Sequence, residues 1–289
     1  LWDVERGIPD RSQDLPWQTC TCIGGWHYSK SDADRNAYKT ADQVIRMLVD
    51  IVSKNGNLLL SIPVRGNGTL DANELRIVAG IKAWMDINKE SIYATRPWKV
   101  YGEGPLFEST NPLSEQGFNE GINYSAQDVR YVERGDTLFA TIMCWPSTES
   151  FTFKALGMAS PYYSGKVQSV HLLGYGELPF SQGIDGLELT LPQKHPNEIA
   201  PVMAITFDPE APRTLPLDEI IVIYEQKAQE LLAQASNNTG KPNPLKVELF
   251  NRQIVVARQA LTSDEETRFQ AAMQLHQDYI TFCQTGYNP

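Results

Sequence analysis

The most constraining feature of the sequence is an alternation of helical and strand patterns in its first hundred residues. Thr40 followed by Gln43 is typical of a helix-starting capping box, and apolar residues then recur at helical spacing. Residues 58–64 form an apolar run of strand length, which predicts a strand buried on both faces. Asp71 and Glu74 predict the start of another helix. Because buried strands that alternate with helices form parallel sheets, we expect an α/β arrangement here.

The rest of the chain divides into two segments with different patterns. In the middle segment, short apolar strands are separated by Gly, Pro, Ser and Asn, with a hairpin turn over Glu133–Asp136, and this predicts an antiparallel β-sandwich. The last segment has three helical stretches with one apolar stripe each, typical of a small bundle, and Ser263 with Glu266 predicts a capping box. The predicted domains are residues 1–104, 105–207 and 208–289.

Composition excludes several classes of partner. The 289 residues include 25 Lys and Arg against 35 Asp and Glu, a formal net charge of −10, which disfavours nucleic acid and anionic membranes as partners. No apolar stretch approaches the roughly 18 residues of a membrane span. The four cysteines and four histidines lack metal-ligand spacing, so we expect no metal and no cofactor. A neutral, polyhydroxylated ligand stays compatible with this surface.

Residues with chemical potential concentrate near the beginning of the chain. Glu5 supplies a carboxylate, and Trp26, His27 and Tyr28 follow two glycines that permit close backbone approach. Aromatic faces beside fixed hydrogen-bonding groups suit a sugar site. The residues alone leave two alternatives open, namely that the aromatic cluster belongs to the core and that Glu5 is a surface carboxylate paired with Arg6.

Five motifs together resemble the α-L-fucosidases of glycoside hydrolase family 29, in order and over residues 1 to about 207. The longest of them lie around residues 52–60 and just before Trp98. The motifs are Glu5-Arg6-Gly7, Pro16-Trp17-Gln18-Thr19, Ile23-Gly24-Gly25-Trp26-His27-Tyr28, residues 50–60 and residues 92–98.

The resemblance implies a (β/α)8 barrel, here its C-terminal part, followed by a β-sandwich. It also implies a retaining hydrolase that removes terminal α-L-fucose from fucosylated glycans through a covalent glycosyl-enzyme. Such a mechanism needs two carboxyl groups about 5–5.5 Å apart. The family's nucleophile is an Asp on a strand that would precede Leu1, so the 289 residues alone are expected to be inactive. Because the family acts on external glycans, the resemblance also implies a periplasmic, secreted or cell-surface location.

The resemblance also assigns roles to individual residues. Glu5 takes the role of general acid/base, and Trp26 corresponds to an aromatic that packs on the C6 methyl group of fucose, with His27 beside the sugar. Many relatives carry Glu directly after the tryptophan that corresponds to Trp17, whereas this chain has Gln18, which cannot transfer a proton. This difference favours Glu5.

An alternative from another class stays open at this point. A non-catalytic carbohydrate-binding or adhesion protein, built on a decayed fucosidase, would keep the sandwich and the helices and lose the chemistry. Glycan binding without turnover would distinguish this alternative from a hydrolase.

Overall fold

A computed structural model describes residues 2–108, 118–158, 160, 162–211, 215–236 and 243–285. The strands in this part are β1 Trp2–Glu5, β2 Trp17–Cys22, β3 Gly56–Ser61, β4 Arg96–Glu103, β5 Val129–Arg134, β6 Thr137–Ile142, β7 Ser150–Phe153, β8 Val167–Leu172, β9 Gly176–Glu177, β10 Phe180–Gln182, β11 Leu187–Thr190 and β12 Val202–Phe207. The α-helices are α1 Lys30–Arg35, α2 Ala41–Ser53, α3 Ala72–Asn88, α4 Leu217–Ser236, α5 Pro244–Gln259 and α6 Glu265–Thr285.

The strands form three sheets with the orders β1-β2-β3, β4-β5-β6-β12-β8-β9 and β10-β11-β7. Contacts divide the described residues into two compact units. The first unit takes them from Leu1–Phe151, Val167–Pro179 and Leu189–Phe207, and the second from Thr152–Lys166, Phe180–Glu188 and Asp208–Pro289. The three-domain division at residues 104 and 207 stays a prediction.

The first sheet is parallel throughout, as the alternating pattern predicts. Helices α1 and α2 lie between β2 and β3. The capping box of α2 is confirmed, because the Thr40 hydroxyl accepts from the Gln43 amide and Oε1 of Gln43 accepts from the Thr40 amide. The prediction that the following strand is buried on both faces is wrong. Leu58 packs against the helices, but Leu59 is 56 % exposed, because only one face of β3 is covered in the structure.

The second sheet is antiparallel wherever its register is described, and it packs in the same unit as the first. The predicted hairpin is confirmed, since β5 and β6 pair across a turn in which Gly135 has a φ of 58°. Residues of α2 and α3 share one apolar cluster with β5, β6 and β12. Trp84 of α3 also donates from its indole nitrogen to the carbonyl of Ala200 at 3.0 Å. Helices α2 and α3 and the second sheet are therefore parts of one core.

The three last helices surround an apolar cluster of their own in the second unit. Tyr224, Phe250 and Phe282 contribute its largest side chains. The capping residue of α6 lies one position later than predicted, because Asp264 rather than Ser263 accepts from the Thr267 amide. Within the described residues, no helix combines the length and the apolar character needed to cross a membrane. The side chain of His276 and residues 237–242 lie outside the described part.

Candidate active site

Glu5 is the last residue of β1, at the carboxyl edge of the parallel sheet. The register pairs Val4 with Thr19 and Glu5 with Cys20. Val4 is buried in the cluster that includes α2, so Glu5, one residue on, projects from the opposite, open face, where it is exposed. Burial, followed by the nearby carboxylates of Asp3 and Glu5, raises the pKa of the Cys20 thiol. Two carboxylates and a thiol therefore share this face.

Arg6, the next residue, has a backbone in the left-handed region, and hydrogen bonds fix its amide, its carbonyl and its side chain. Its φ of 51° lies in the left-handed region, which costs a residue with a Cβ about 1–2 kcal/mol. Its amide donates to the carbonyl of Cys20 at 2.9 Å, and its carbonyl accepts from the Asn119 amide at 3.1 Å. Its Nε donates to Oε1 of Glu120 at 2.7 Å. The guanidinium group thus has Glu120 as its hydrogen-bonded carboxylate partner.

Glu120 has hydrogen-bond and ion-pair partners in three segments of the first unit, namely the turn after β1, β2 and the loop before α2. Besides Arg6, the Thr21 hydroxyl donates to Oε2 at 2.5 Å, and Nζ of Lys39 lies 3.0 Å from Oε1. Burial alone would raise the pKa of Glu120, but the hydrogen bonds from Thr21, Arg6 and Lys39 outweigh burial and lower this pKa below its ordinary value. Lys39 also donates to the carbonyl of Cys22 at 2.7 Å. A single ionised carboxylate thus joins the ends of β1 and β2 to the start of α2.

Trp26 and His27 lie in the loop that follows β2, at the carboxyl edge where Glu5 also lies. Both side chains are exposed, Trp26 to 44 %. The loop starts close to Tyr38, since a Cβ on Gly24 would lie 2.7 Å from the tyrosine ring. In the described part of the chain, no hydrogen bond or ring contact joins Glu5 to either residue. The structure brings the three predicted residues to the ends of adjacent strands.

A cavity of about 730 Å³ lies beside Glu120, next to the first turns of α2. Arg6, Lys39 and Glu120 line it, together with Gln43 and Tyr124. Sequence reasoning missed Thr21, Lys39 and Glu120. Glu120 lies 99 positions from Thr21 and 114 from Arg6, so no local spacing could have joined them.

The arrangement supplies an exposed carboxyl group and an exposed aromatic face at one sheet edge. A carboxyl group in such a position can exchange a proton with a bound molecule. An aromatic face can pack on the apolar side of a sugar. Among the described residues, no group of three His, Cys, Asp or Glu side chains is placed to hold a metal ion.

Two protein-family models match this chain, and their matches cover most of the first unit. The model described as alpha-L-fucosidase matches residues 2–90, which include the parallel sheet with α2 and α3. The model described as alpha-L-fucosidase C-terminal domain matches residues 123–207. Together the two matches cover more than half of the chain.

Individual relatives agree with the family models. The tissue alpha-L-fucosidase of Rattus norvegicus is 26 % identical over 215 residues, which are 73 % of this chain and 39 % of the relative. The alpha-L-fucosidase isoenzyme 1 of Paenibacillus thiaminolyticus superposes with a TM-score of 0.54 at 24 % identity, over 71 % of this chain and 44 % of that one. A GH29 alpha-L-fucosidase of Bacteroides thetaiotaomicron, solved as a trapped covalent intermediate, superposes with a TM-score of 0.51 at 21 % identity, over 71 % and 42 % of the two chains.

The chain spans about two fifths of the length of these relatives. Both family models and the relatives carry the same name, and the first family match, over residues 2–90, includes the edge that holds Glu5 and Trp26. The chain therefore belongs to the α-L-fucosidase family, glycoside hydrolase family 29.

Proposed function

We propose that this chain is the C-terminal part of a retaining α-L-fucosidase, which hydrolyses terminal α-L-fucose from fucosylated glycans. The observation that carries the proposal is the exposed carboxyl group of Glu5 at the end of a parallel strand. Enzymes built on (β/α)8 barrels place their chemistry at this carboxyl edge. Trp26 and His27 follow the adjacent strand at the same edge, which adds a surface for the sugar.

The proposal includes an architecture for the intact enzyme. The three parallel strands with α2 and α3 would be part of a (β/α)8 barrel that includes residues 1–104. Residues 105–207 would form a β-sandwich, and residues 208–289 a helical bundle. An eight-stranded barrel needs five more strands than the parallel sheet described for this chain. We assign those strands, and the nucleophilic Asp, to sequence that precedes Leu1.

Glu5 would act twice in the reaction. As an acid, its carboxyl group protonates the leaving oxygen while the nucleophile forms a bond to the sugar. As a base, its carboxylate then takes a proton from the water that cleaves the glycosyl-enzyme. The Bacteroides thetaiotaomicron relative, described as a trapped covalent intermediate, supports a mechanism with such an intermediate.

Substrate recognition would depend on Trp26, with His27 beside it. Fucose carries a methyl group at C6, where most hexoses carry a hydroxymethyl group. An aromatic side chain at this position favours fucose, because it packs on the methyl group and offers no hydrogen-bond partner to the hydroxyl of another hexose. Gln18 projects from the same face as Glu5, and its amide nitrogen lies 3.4 Å from Oδ1 of Asp3. An amide at this position can orient a hydroxyl but cannot protonate a leaving group.

The test uses the chain extended by the coding sequence that precedes it in frame, with the 289-residue chain assayed alongside. We expect the extended protein to hydrolyse aryl α-L-fucosides and the shorter chain to be inactive. Glu5→Gln should lower kcat/KM about 10²–10⁴-fold for fucosylated oligosaccharides, whose leaving groups need protonation. It should lower kcat/KM much less for fucosyl fluoride, because fluoride leaves with little help from an acid.

Asp3→Asn is the matched control, because Asp3 lies on the same strand and face as Glu5 and is also exposed. This variant should keep activity within a few-fold of the parent. Equal losses in both variants, or full activity in Glu5→Gln, would overturn the assignment of Glu5. Glycan binding by the extended protein without turnover would instead support the non-catalytic alternative.

A further inference from the structure

We propose that Glu120 is a positioning residue for the catalytic carboxyl group. It would hold Arg6 from behind the sheet so that Glu5 keeps a fixed place on the open face. This inference rests on the proposed function, because it presupposes that Glu5 is the acid/base. It adds a residue outside both family matches, which end at residue 90 and resume at residue 123.

Residues 118–120, which we name the strap, make hydrogen bonds to the main chain around Arg6. The Phe118 amide donates to the carbonyl of Glu5 at 3.2 Å, and the Asn119 amide donates to that of Arg6. The Asn119 side chain also accepts from the amide of Ile8 and donates to its carbonyl, at 2.8 and 3.1 Å. The strap therefore binds the main chain at the end of β1 and in the turn that follows it.

The side chain of Glu120 completes this attachment. Arg6 has a left-handed backbone, and its side chain reaches Glu120, whose other donors are Thr21 and Lys39. Arg6 and Glu120 line the cavity beside α2, whereas the alternation along β1 directs Glu5 to the opposite face. Removing the carboxylate would free Arg6 to leave its conformation and would let the adjoining peptide of Glu5 rotate.

The first experiment tests the attachment in the 289-residue chain by hydrogen–deuterium exchange. Glu120→Gln should speed exchange in peptides that contain Arg6 and Asn119 and leave those of α2 unchanged. Asp42→Asn is the control, because Asp42 lines the same cavity but pairs with Arg46. Unchanged exchange at Arg6 in Glu120→Gln would overturn the proposal.

The second experiment measures kinetics in the extended protein. Glu120→Gln should lower kcat/KM by about 10²-fold, as a displacement of a catalytic group by about 1 Å does. The loss should be much smaller for fucosyl fluoride than for fucosylated oligosaccharides, because fluoride leaves with little help from an acid. Glu120→Asp should recover part of the activity on the oligosaccharides. In the double variant Arg6→Gly/Glu120→Gln, the loss should not exceed that of the worse single variant.

The outcomes separate this inference from the proposed function. If Glu5→Gln is inactive while Glu120→Gln keeps the parent's rate, the positioning role is wrong and the acid/base assignment stands. An equal loss of kcat/KM for fucosyl fluoride and for the oligosaccharides would show a structural role only and would also overturn the inference. If Glu5→Gln itself retains activity, the proposed role of Glu5 fails first.

Discussion

Arg130 on β5 donates a hydrogen bond from Nε to Oδ1 of Asp50 on α2, and both side chains are almost completely buried. Lys54, one turn further along, donates from Nζ to Oδ2 of the same carboxylate at 2.9 Å. The ring of Tyr101 lies 5.1 Å from the Lys54 ammonium and 5.6 Å from the Arg130 guanidinium. One carboxylate thus holds the helix of the parallel layer on the antiparallel sheet.

Asp50→Asn should lower the free energy of unfolding by about 3–5 kcal/mol, because it leaves two buried cations without their counter-charge. Denaturant unfolding at neutral pH measures this change. Asp86→Asn is the matched control, since Asp86 also pairs with a lysine four residues away but on an exposed helix face. The control should change stability by less than about 1 kcal/mol. Similar effects in the two variants would contradict a special role for Asp50.

The same carboxylate predicts a pH dependence of stability. Burial alone would raise the pKa of Asp50, but the charges and hydrogen bonds of Arg130 and Lys54 outweigh it and lower the pKa to about 2. Because the pKa is lower in the folded state, this contribution is present above about pH 4 and is lost as pH falls toward 2. The stability difference between the parent and Asp50→Asn should therefore narrow over this interval. A difference that stays constant from pH 6 to pH 2.5 would contradict the prediction.

Gly56 is the first residue of β3, and its backbone packs closely against the ring of Trp17. A Cβ there would lie 2.5 Å from two ring atoms of Trp17 and 2.8 Å from a methyl group of Ile51. Gly56→Ala should therefore lower the free energy of unfolding by about 1–3 kcal/mol through overpacking. Gly66→Ala is the control, because nothing lies within 4 Å of its added Cβ. Thermal or denaturant unfolding of the two variants decides the prediction, and equal stabilities would refute it.

Residues 105–207, predicted as a separate domain, should not fold stably alone. In the chain, Val132, Phe139 and Met143 share one apolar cluster with residues of α2 and α3. Expression without the first hundred residues would expose this face and leave Arg130 without Asp50. An amide NMR spectrum of the segment should be poorly dispersed compared with that of the whole chain. A dispersed spectrum with cooperative unfolding would show that the segment is independent.

Trp26→Ala should weaken selection for fucose in the extended protein. Loss of one apolar contact to a methyl group changes discrimination by about 10–200-fold. We therefore expect a lower ratio of kcat/KM for an aryl α-L-fucoside to kcat/KM for the matching aryl α-L-galactoside. Trp26→Phe should keep most of this ratio. Because Trp26 is 44 % exposed, stability should change little. An unchanged ratio in Trp26→Ala would remove this residue from the proposed sugar site.

Much of the local structure could be predicted because its causes lie within a few residues. The capping boxes at Thr40 and Asp71 satisfy helix-end amides with side chains three positions or fewer away. The turn at Gly135 likewise needs only a residue that accepts positive φ between two strand patterns. Motif order along the chain was also sufficient to indicate the family, which the comparisons confirm.

The sequence by itself determined five of the six described α-helices, all but the short α1, together with most strands and the family, since these depend on short spacings and on residue order. Only the tertiary structure decided which face of β3 is covered, that Arg130 meets Asp50, and that Glu120 reaches Arg6 and Thr21. An apolar run has the same pattern whether one face or two are buried. A carboxylate that is 80 or 114 positions from its partner likewise carries no sign of the contact. Such contacts arise from the packing of whole elements, and spacing along the chain does not encode them.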